Sequence, residues 1–193
     1  MLRALYDRVM GFAEHPQALA LLALIAFVES SVFPLPPDIL LVPMALAARG
    51  RAWRIALVCT AASVAGGLAG YAIGYYLFDA VGRPLLDFYG YDAEFEAFRA
   101  RYNAWGAWIV AGAGLTPFPY KVITIASGAT GLGLATFTVA SALSRGLRFA
   151  AECALLWYFG PPMRQFVERH LGKVTAAAFL VLVGGFALVK WLA

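Results

Sequence analysis

The chain has 193 residues, 62% hydrophobic and only 13% charged, against about 25% charged in ordinary globular domains. With a mean hydropathy of +0.75, this composition excludes a soluble enzyme; the charge falls in short bursts between long apolar runs, as in a polytopic helical bundle in a bilayer. The net charge of +4 and pI near 9.2 do not point to nucleic acid, because the basic residues end apolar runs instead of lining one polar face.

Residues 1–15 place Leu2, Leu5, Val9 and Phe12 at helical spacing among Arg3, Asp7, Arg8 and Glu14, which predicts a short amphipathic helix in the membrane interface. No small-residue cleavage site follows, so a retained anchor is expected, not a signal peptide. Residues 16–48 cannot form one simple span. Glu29 and Asp38 interrupt them, and Pro34, Pro36, Pro37 and Pro43 lie within. Proline lacks an amide donor and steers the preceding residue out of helical geometry, so FPLPPD is irregular backbone. At membrane depth such backbone is tolerated only where it is buried in protein or lines a wet cavity. The limb 38–48 would be about 16 Å long as a helix, enough for half a bilayer. We therefore expect a re-entrant hairpin with PLPPD at its tip.

Residues 55–78 contain no charge and would extend about 36 Å as a helix, a full span. Gly66, Gly70 and Gly74 recur there at four-residue spacing, with Gly67 beside them, a pattern that lets another backbone approach closely and offers a homodimer surface. Residues 79–103 hold five acids and three arginines and read as a surface loop with short amphipathic helices. A second apolar stretch, 104–133, is interrupted by Lys121, a further span covers 134–158 with Arg145, Arg148 and Glu152 inside it, and 174–190 forms a short closing span. Cys59 and Cys153 lie within apolar spans and show no ligand spacing, so neither a disulfide nor a zinc site is expected.

The proline-centred pattern occurs twice, 83 residues apart: Pro34, Pro36, Asp38 and Gly50 align with Pro117, Pro119, Lys121 and Gly133. Each copy reads as a broken hairpin followed by a full span. Since the first span carries the chain across, the second hairpin (104–133) enters from the opposite face, an inverted repeat whose binding site lies near the midplane. The fold class expected is all-α: a single membrane domain over 16–193, with two inverted-repeat re-entrant hairpins plus transmembrane helices. Arg49, Arg51 and Arg54 share a face with Arg164, Arg169 and Lys173, opposite the net-negative loop 79–103; the basic face is cytoplasmic, as is the N-terminus, and the loop periplasmic.

An ionisable group deep in a bilayer costs about 3 kcal/mol on insertion scales, so Glu29, Asp38, Lys121, Arg145, Arg148 and Glu152 need partners or water. Two groupings are expected. Asp38 and Lys121, at equivalent positions on the two tips, would meet as an acid–base pair; Arg148 and Glu152, four apart on one helix, would pair locally, with Arg145 a turn back and one positive charge left over. Ion pairs that merely pin the hairpins are one reading, but desolvation often cancels their Coulomb gain. The excess of Arg145, Arg148 and Lys121 over their acids instead suggests a mobile anionic guest, most simply a phosphate headgroup. Glu29 or Asp38 could then take up and release a proton during transport.

ES-SVFPLPPD, the glycine-spaced AGGLAGYAIGYYL, GLTPFPYK and SRGLR resemble the DedA family of bacterial inner-membrane proteins, which share the VTT (SNARE-associated) domain of eukaryotic proteins, and in particular its small YqaA-like branch. The similarity covers roughly residues 20–160. It implies two facing re-entrant hairpins and movement of lipids across the inner membrane, by flipping of undecaprenyl phosphate or phospholipid or by scrambling, with proton dependence proposed for some members. By position, Glu29 and Asp38 match the acids of the family's first hairpin. Lys121 stands where many members carry the second arginine of an R-x-x-P-x-x-R motif, and Leu115 replaces the first, a loss for which Arg145 or Arg148 is a candidate to compensate.

The function expected is thus a flippase or scramblase for an anionic phosphate-bearing lipid, with Glu29 and Asp38 in proton coupling or substrate binding, Lys121, Arg145 and Arg148 on the headgroup, and Glu152, Pro34, Pro36, Pro117 and Pro119 in support. The alternative is a proton-coupled small-solute or ion transporter. Neither HExxH, GxSxG nor a P-loop is present, and His15 and His170 sit in no ligand pattern, so no catalytic residue, metal or cofactor is expected.

Overall fold

The computed structural model describes residues 15, 17–33, 35–116 and 118–169. The expected interfacial helix (His15 apart), Pro34, Pro117 and the closing span 174–190 lie outside the described residues. Every regular element among those described is helical.

Helix α1 (Ala18–Ser31) stops where the prolines begin: the amides of Val32 and Phe33 both turn back to the Val28 carbonyl, at 2.9 Å. Pro37 already holds helical geometry, with φ −65° and ψ −20°, and α2 (Asp38–Ala47) starts directly after it. A 3₁₀ turn, Arg49–Arg51, leads into α3 (Ala52–Leu77), whose 26 residues extend about 39 Å. The helical run continues through a π-turn, Phe78–Gly82, and α4 (Arg83–Tyr89). Together Arg49–Tyr89 form the one helical stretch among the described residues long and apolar enough to cross a membrane.

Three helices follow: α5 (Asp92–Leu115), α6 (Tyr120–Ala129) and α7 (Leu134–Arg169). Two boundaries differ from those read in the sequence. The short helices expected within 79–103 are present as the π-turn and α4, but α5 begins at Asp92 and enters its apolar part without a break at 104. Acids at Asp92 and Glu94 suit a helix N-terminus, and the Ala, Glu and Arg that follow are strong helix formers. Likewise α7 continues past residue 158 to Arg169. Each half of the chain thus runs helix, proline break, ten-residue helix, turn, long helix.

Helix α3 is central: α1, α6 and α7 all pack on it, and its glycines are the reason. A Cβ at Gly66 would fall on the Phe27 carbonyl, at Gly70 on Thr124, and at Gly74 on the Ile125 carbonyl; one at Gly128 of α6 would fall on the Tyr71 carbonyl. The glycine face is therefore consumed within the chain.

The far end of α6 is tied down by polar groups. Gly131 turns at φ +66°, and the Leu132 amide reaches the Ser127 carbonyl at 2.9 Å, satisfying a carbonyl left open at the helix end. Arg99 Nε and Asn103 Nδ2 from α5 donate to the Thr130 carbonyl at 2.9 and 3.0 Å, and Tyr71 Oη donates to the Leu132 carbonyl at 2.6 Å. Two apolar clusters fill the interior. One joins α1, α2 and α3 to Phe149 and Cys153 of α7, and the other gathers Tyr102, Val110, Tyr120 and Phe137.

Candidate functional site

Arg145, Arg148 and Glu152 lie at i, i+3 and i+7 on α7, and so share one stripe of that helix. The proline breaks end α1 at Ser31 and start α2 at Asp38 and α6 at Tyr120, and these limb ends bring polar groups to the stripe. Pro119, extended at ψ 96°, precedes α6; Pro36 accepts from the Ile39 amide at 3.4 Å before α2. Both expected supporting prolines within the described residues therefore sit in the breaks.

Arg145 is 1% exposed. Its Nη2 donates to Glu29 Oε2 at 2.9 Å and its Nε to Ser63 Oγ at 2.7 Å; Ser63 Oγ lies 2.7 Å from Ser30 Oγ, which donates to the same Glu29 oxygen at 3.1 Å. Because the single hydroxyl hydrogen of Ser30 goes to Glu29, Ser63 is the donor between the two serines. The four residues close a ring spanning α1, α3 and α7. The guanidinium lies between the rings of Tyr120 and Phe149, 4.9 and 4.7 Å from their centroids, and thus at the seam between the two apolar clusters. Tyr120 Oη is held by Ser141, and Thr124 Oγ1 donates to the Ser30 carbonyl at 3.2 Å. A cation so enclosed is stabilised by one carboxylate, one hydroxyl and two aromatic faces.

The second ion pair is open. Arg148 Nη2 donates to Asp38 Oδ2 at 2.8 Å, with side chains 25% and 31% exposed. The other oxygen, Asp38 Oδ1, is buried without a hydrogen-bond donor. Lys121, partly buried in the first turn of α6, has no carboxylate within 4 Å among the described residues.

Both pairings expected from the sequence are thereby corrected. Asp38 meets Arg148 and not Lys121, because the start of α2 packs on α7. Arg148 is turned across to Asp38 and not along its own helix to Glu152, since a tertiary carboxylate competes with the i,i+4 partner for the same guanidinium. The expected surplus is also redistributed: Arg145 and Arg148 both have acids, Glu152 has no arginine of its own, and Lys121 is the cation left without a partner carboxylate among the described residues. Sequence reasoning missed Ser30, Ser63 and Tyr120. The one available signal for the serines was their placement in helices otherwise apolar.

No protein-family model matches the chain, and no solved structure matches it. It is 35% identical over 186 residues to an uncharacterized protein of Haemophilus influenzae, with 96% of each chain covered. It is 34% identical over 181 residues to an uncharacterized protein of Histophilus somni, over 92% of this chain and 94% of that one. With more than a third of the residues shared along nearly the whole of each chain, this chain belongs to the same family as the Haemophilus protein.

Proposed function

We propose that the chain is a multi-pass inner-membrane protein of the DedA type, which moves an anionic, phosphate-bearing lipid across the bilayer. The two proline-broken limbs are re-entrant hairpins entering from opposite faces, and the headgroup crosses the polar groove between them while its tail stays in lipid. The outward faces of α3 and α7 support immersion: Leu57, Leu143, Leu147 and Leu155 are each more than half exposed, where a water-facing helix would carry polar side chains.

The observation that carries the reading is the contrast between the two arginines. Arg145 is sealed, bonded to Glu29 and Ser63 and enclosed by two aromatic rings, a fixed post. Arg148 spends one of its five N–H donors on Asp38, is a quarter exposed, and has donors left for phosphate oxygens. Lys121, with no carboxylate partner within the described residues, supplies a second positive charge from the opposite tip. In this reading Arg148 and Lys121 bind the headgroup, Asp38 holds Arg148 in position until the guest arrives, and Glu29 with Arg145 pins the groove.

The test is translocation of labelled phospholipid in proteoliposomes. A hydrogen bond to a charged group contributes about 1.5–3 kcal/mol, so Lys121→Ala and Arg148→Ala should each slow translocation by roughly 10- to 100-fold. Rates equal to wild type in both variants would remove the assignment; flux of a small solute without lipid movement would transfer the site to the transporter alternative.

A further inference from the structure

Phe98, Arg101, Tyr102, Trp105, Trp108 and Ile109 line an open groove of about 450 Å³ along α5. Their spacing of three and four places all six on one stripe of the helix. Part of the groove is fixed. Tyr102 is buried and shares a hydrogen bond with Ser127 at 3.0 Å, and the Phe98 ring leans on it with centroids 5.6 Å apart. Trp105 and Trp108 are 62% and 74% exposed, so most of each indole faces outward.

Arg101 stands at the mouth of this groove. It is exposed, with no carboxylate within 4 Å among the described residues, whereas Arg99 beside it donates to Thr130 and Glu96. Arg101 is also the last charge on α5. Residues 102–115 carry none and extend about 21 Å as a helix. Asp92, Glu94 and Glu96 precede it, on the water side in the membrane placement proposed above. Trp105 and Trp108 follow about 6 and 10 Å deeper along the axis, in the zone where tryptophan anchors a helix to the bilayer interface. A cationic mouth at headgroup level thus opens onto an aromatic floor that leads toward hydrocarbon.

We infer that this face of α5 holds one anionic phospholipid as a fixed companion of the fold, with its phosphate on Arg101 and an acyl chain over Trp105, Trp108 and Ile109. The guanidinium fork suits phosphate oxygens, and the indoles supply apolar area beneath it. A second copy of the chain suits this face less well. Two copies of one orientation would set Arg101 level with its counterpart, with Glu94 seven residues and about 10 Å away along the axis, and a like-charge meeting of that kind is costly. The site shares no residue with the groove of Arg148 and Lys121 and retains its lipid instead of moving it. The inference rests on the proposed membrane placement and not on translocation.

Bromine on an acyl chain quenches a tryptophan that it touches, so phosphatidylglycerol and phosphatidylcholine with dibrominated chains read this site in proteoliposomes. The Trp105 and Trp108 component is obtained by difference from the double variant Trp105→Phe, Trp108→Phe. Phosphatidylglycerol should half-quench that component at about a tenth of the mole fraction that phosphatidylcholine requires, the contribution of one hydrogen bond to a charged group. Arg101→Gln should bring the two lipids within about twofold of each other, and Arg101→Lys, which keeps the charge, should retain most of the preference. Since Arg101 holds no carboxylate among the described residues, neither change removes an ion pair of the fold. Lys121→Ala should show the wild-type preference. A preference that survives in Arg101→Gln, or disappears in Lys121→Ala, overturns the inference and leaves the lipid in the translocation groove. Equal quenching by both lipids in wild type overturns it while the membrane placement stands; quenching of these tryptophans by neither lipid removes both. The stated preference in a protein that moves no lipid retains the α5 site and removes the transport reading.

Discussion

Glu29→Ala should be far more damaging than Asp38→Ala, although each removes one carboxylate from one arginine. Arg145 is 1% exposed and Glu29 17%, so truncating Glu29 strands a buried cation that has no route to water and opens the Glu29–Arg145–Ser63–Ser30 ring on two sides. Removing one partner of a buried pair costs about 3–5 kcal/mol. Arg148, at 25% exposure, can turn outward, and Glu152 stands one helical turn away as a substitute; loss of such a partly exposed pair costs about 1 kcal/mol or less. The gap of about 2–4 kcal/mol corresponds to roughly 30- to 1,000-fold in the unfolding equilibrium. Thermal unfolding of the solubilised protein, followed by circular dichroism, should place Glu29→Ala roughly 6–20 °C below wild type and Asp38→Ala within about 4 °C of it. Glu29→Gln, which keeps an acceptor oxygen for Arg145, should fall between them. Melting of Glu29→Ala at or above Asp38→Ala would refute the division into a sealed pair and an open one.

Gly66→Ala should destabilise by about 1–3 kcal/mol, because its Cβ meets the Phe27 carbonyl and α1 must move off α3; Gly112→Ala, with nothing within 4 Å, is the matched control, and equal melting of the two would contradict the packing. Gly131→Ala should cost about 1–2 kcal/mol, the penalty of a left-handed backbone for a residue with a Cβ, again read by thermal unfolding. Ser63→Ala removes the acceptor of Arg145 Nε and a donor to Ser30; it should cost about 1–3 kcal/mol, whereas Thr138→Ala, whose hydroxyl bonds only its own helix at Leu134, should change stability by less than about 0.5 kcal/mol.

The breaks and limbs were legible in the sequence because proline acts locally: PLPPD and TPFPYK end one helix and start the next wherever they occur. The uncharged run 55–78 was legible by length alone. Pairing of the charges was not. Glu29 and Arg145 are 116 residues apart and Asp38 and Arg148 110 apart, and nothing local distinguishes those partners from Lys121 or Glu152. The i,i+4 rule even favoured the wrong acid for Arg148. The serines were hidden for a related reason. A serine in an apolar helix commonly bonds its own preceding turn, as Ser144 does to the Ala140 carbonyl at 2.7 Å and Ser31 to the Phe27 carbonyl at 3.0 Å. Only the close approach of α1 to α3, allowed by Gly66 and Gly70, turns Ser30 and Ser63 toward one another. Continuity of α5 was obscured because its charged first half and apolar second half differ in composition.

The two ten-residue limbs are fastened by different physics. The second, α6, is fixed by directional bonds: Ser127 to Tyr102 at 3.0 Å, Thr130 to Arg99 and Asn103, and Thr124 to the Ser30 carbonyl. Each has one geometry, so a shift of an ångström along the axis breaks several at once. The first, α2, is buried through Leu40, Leu41, Met44, Ala45 and Leu46, contacts without direction, and its one tertiary polar tether among the described residues is the open pair at Asp38. The halves share an order of elements yet differ in restraint: without the Asp38 pair, α2 is held by apolar packing, while α6 keeps several directional bonds.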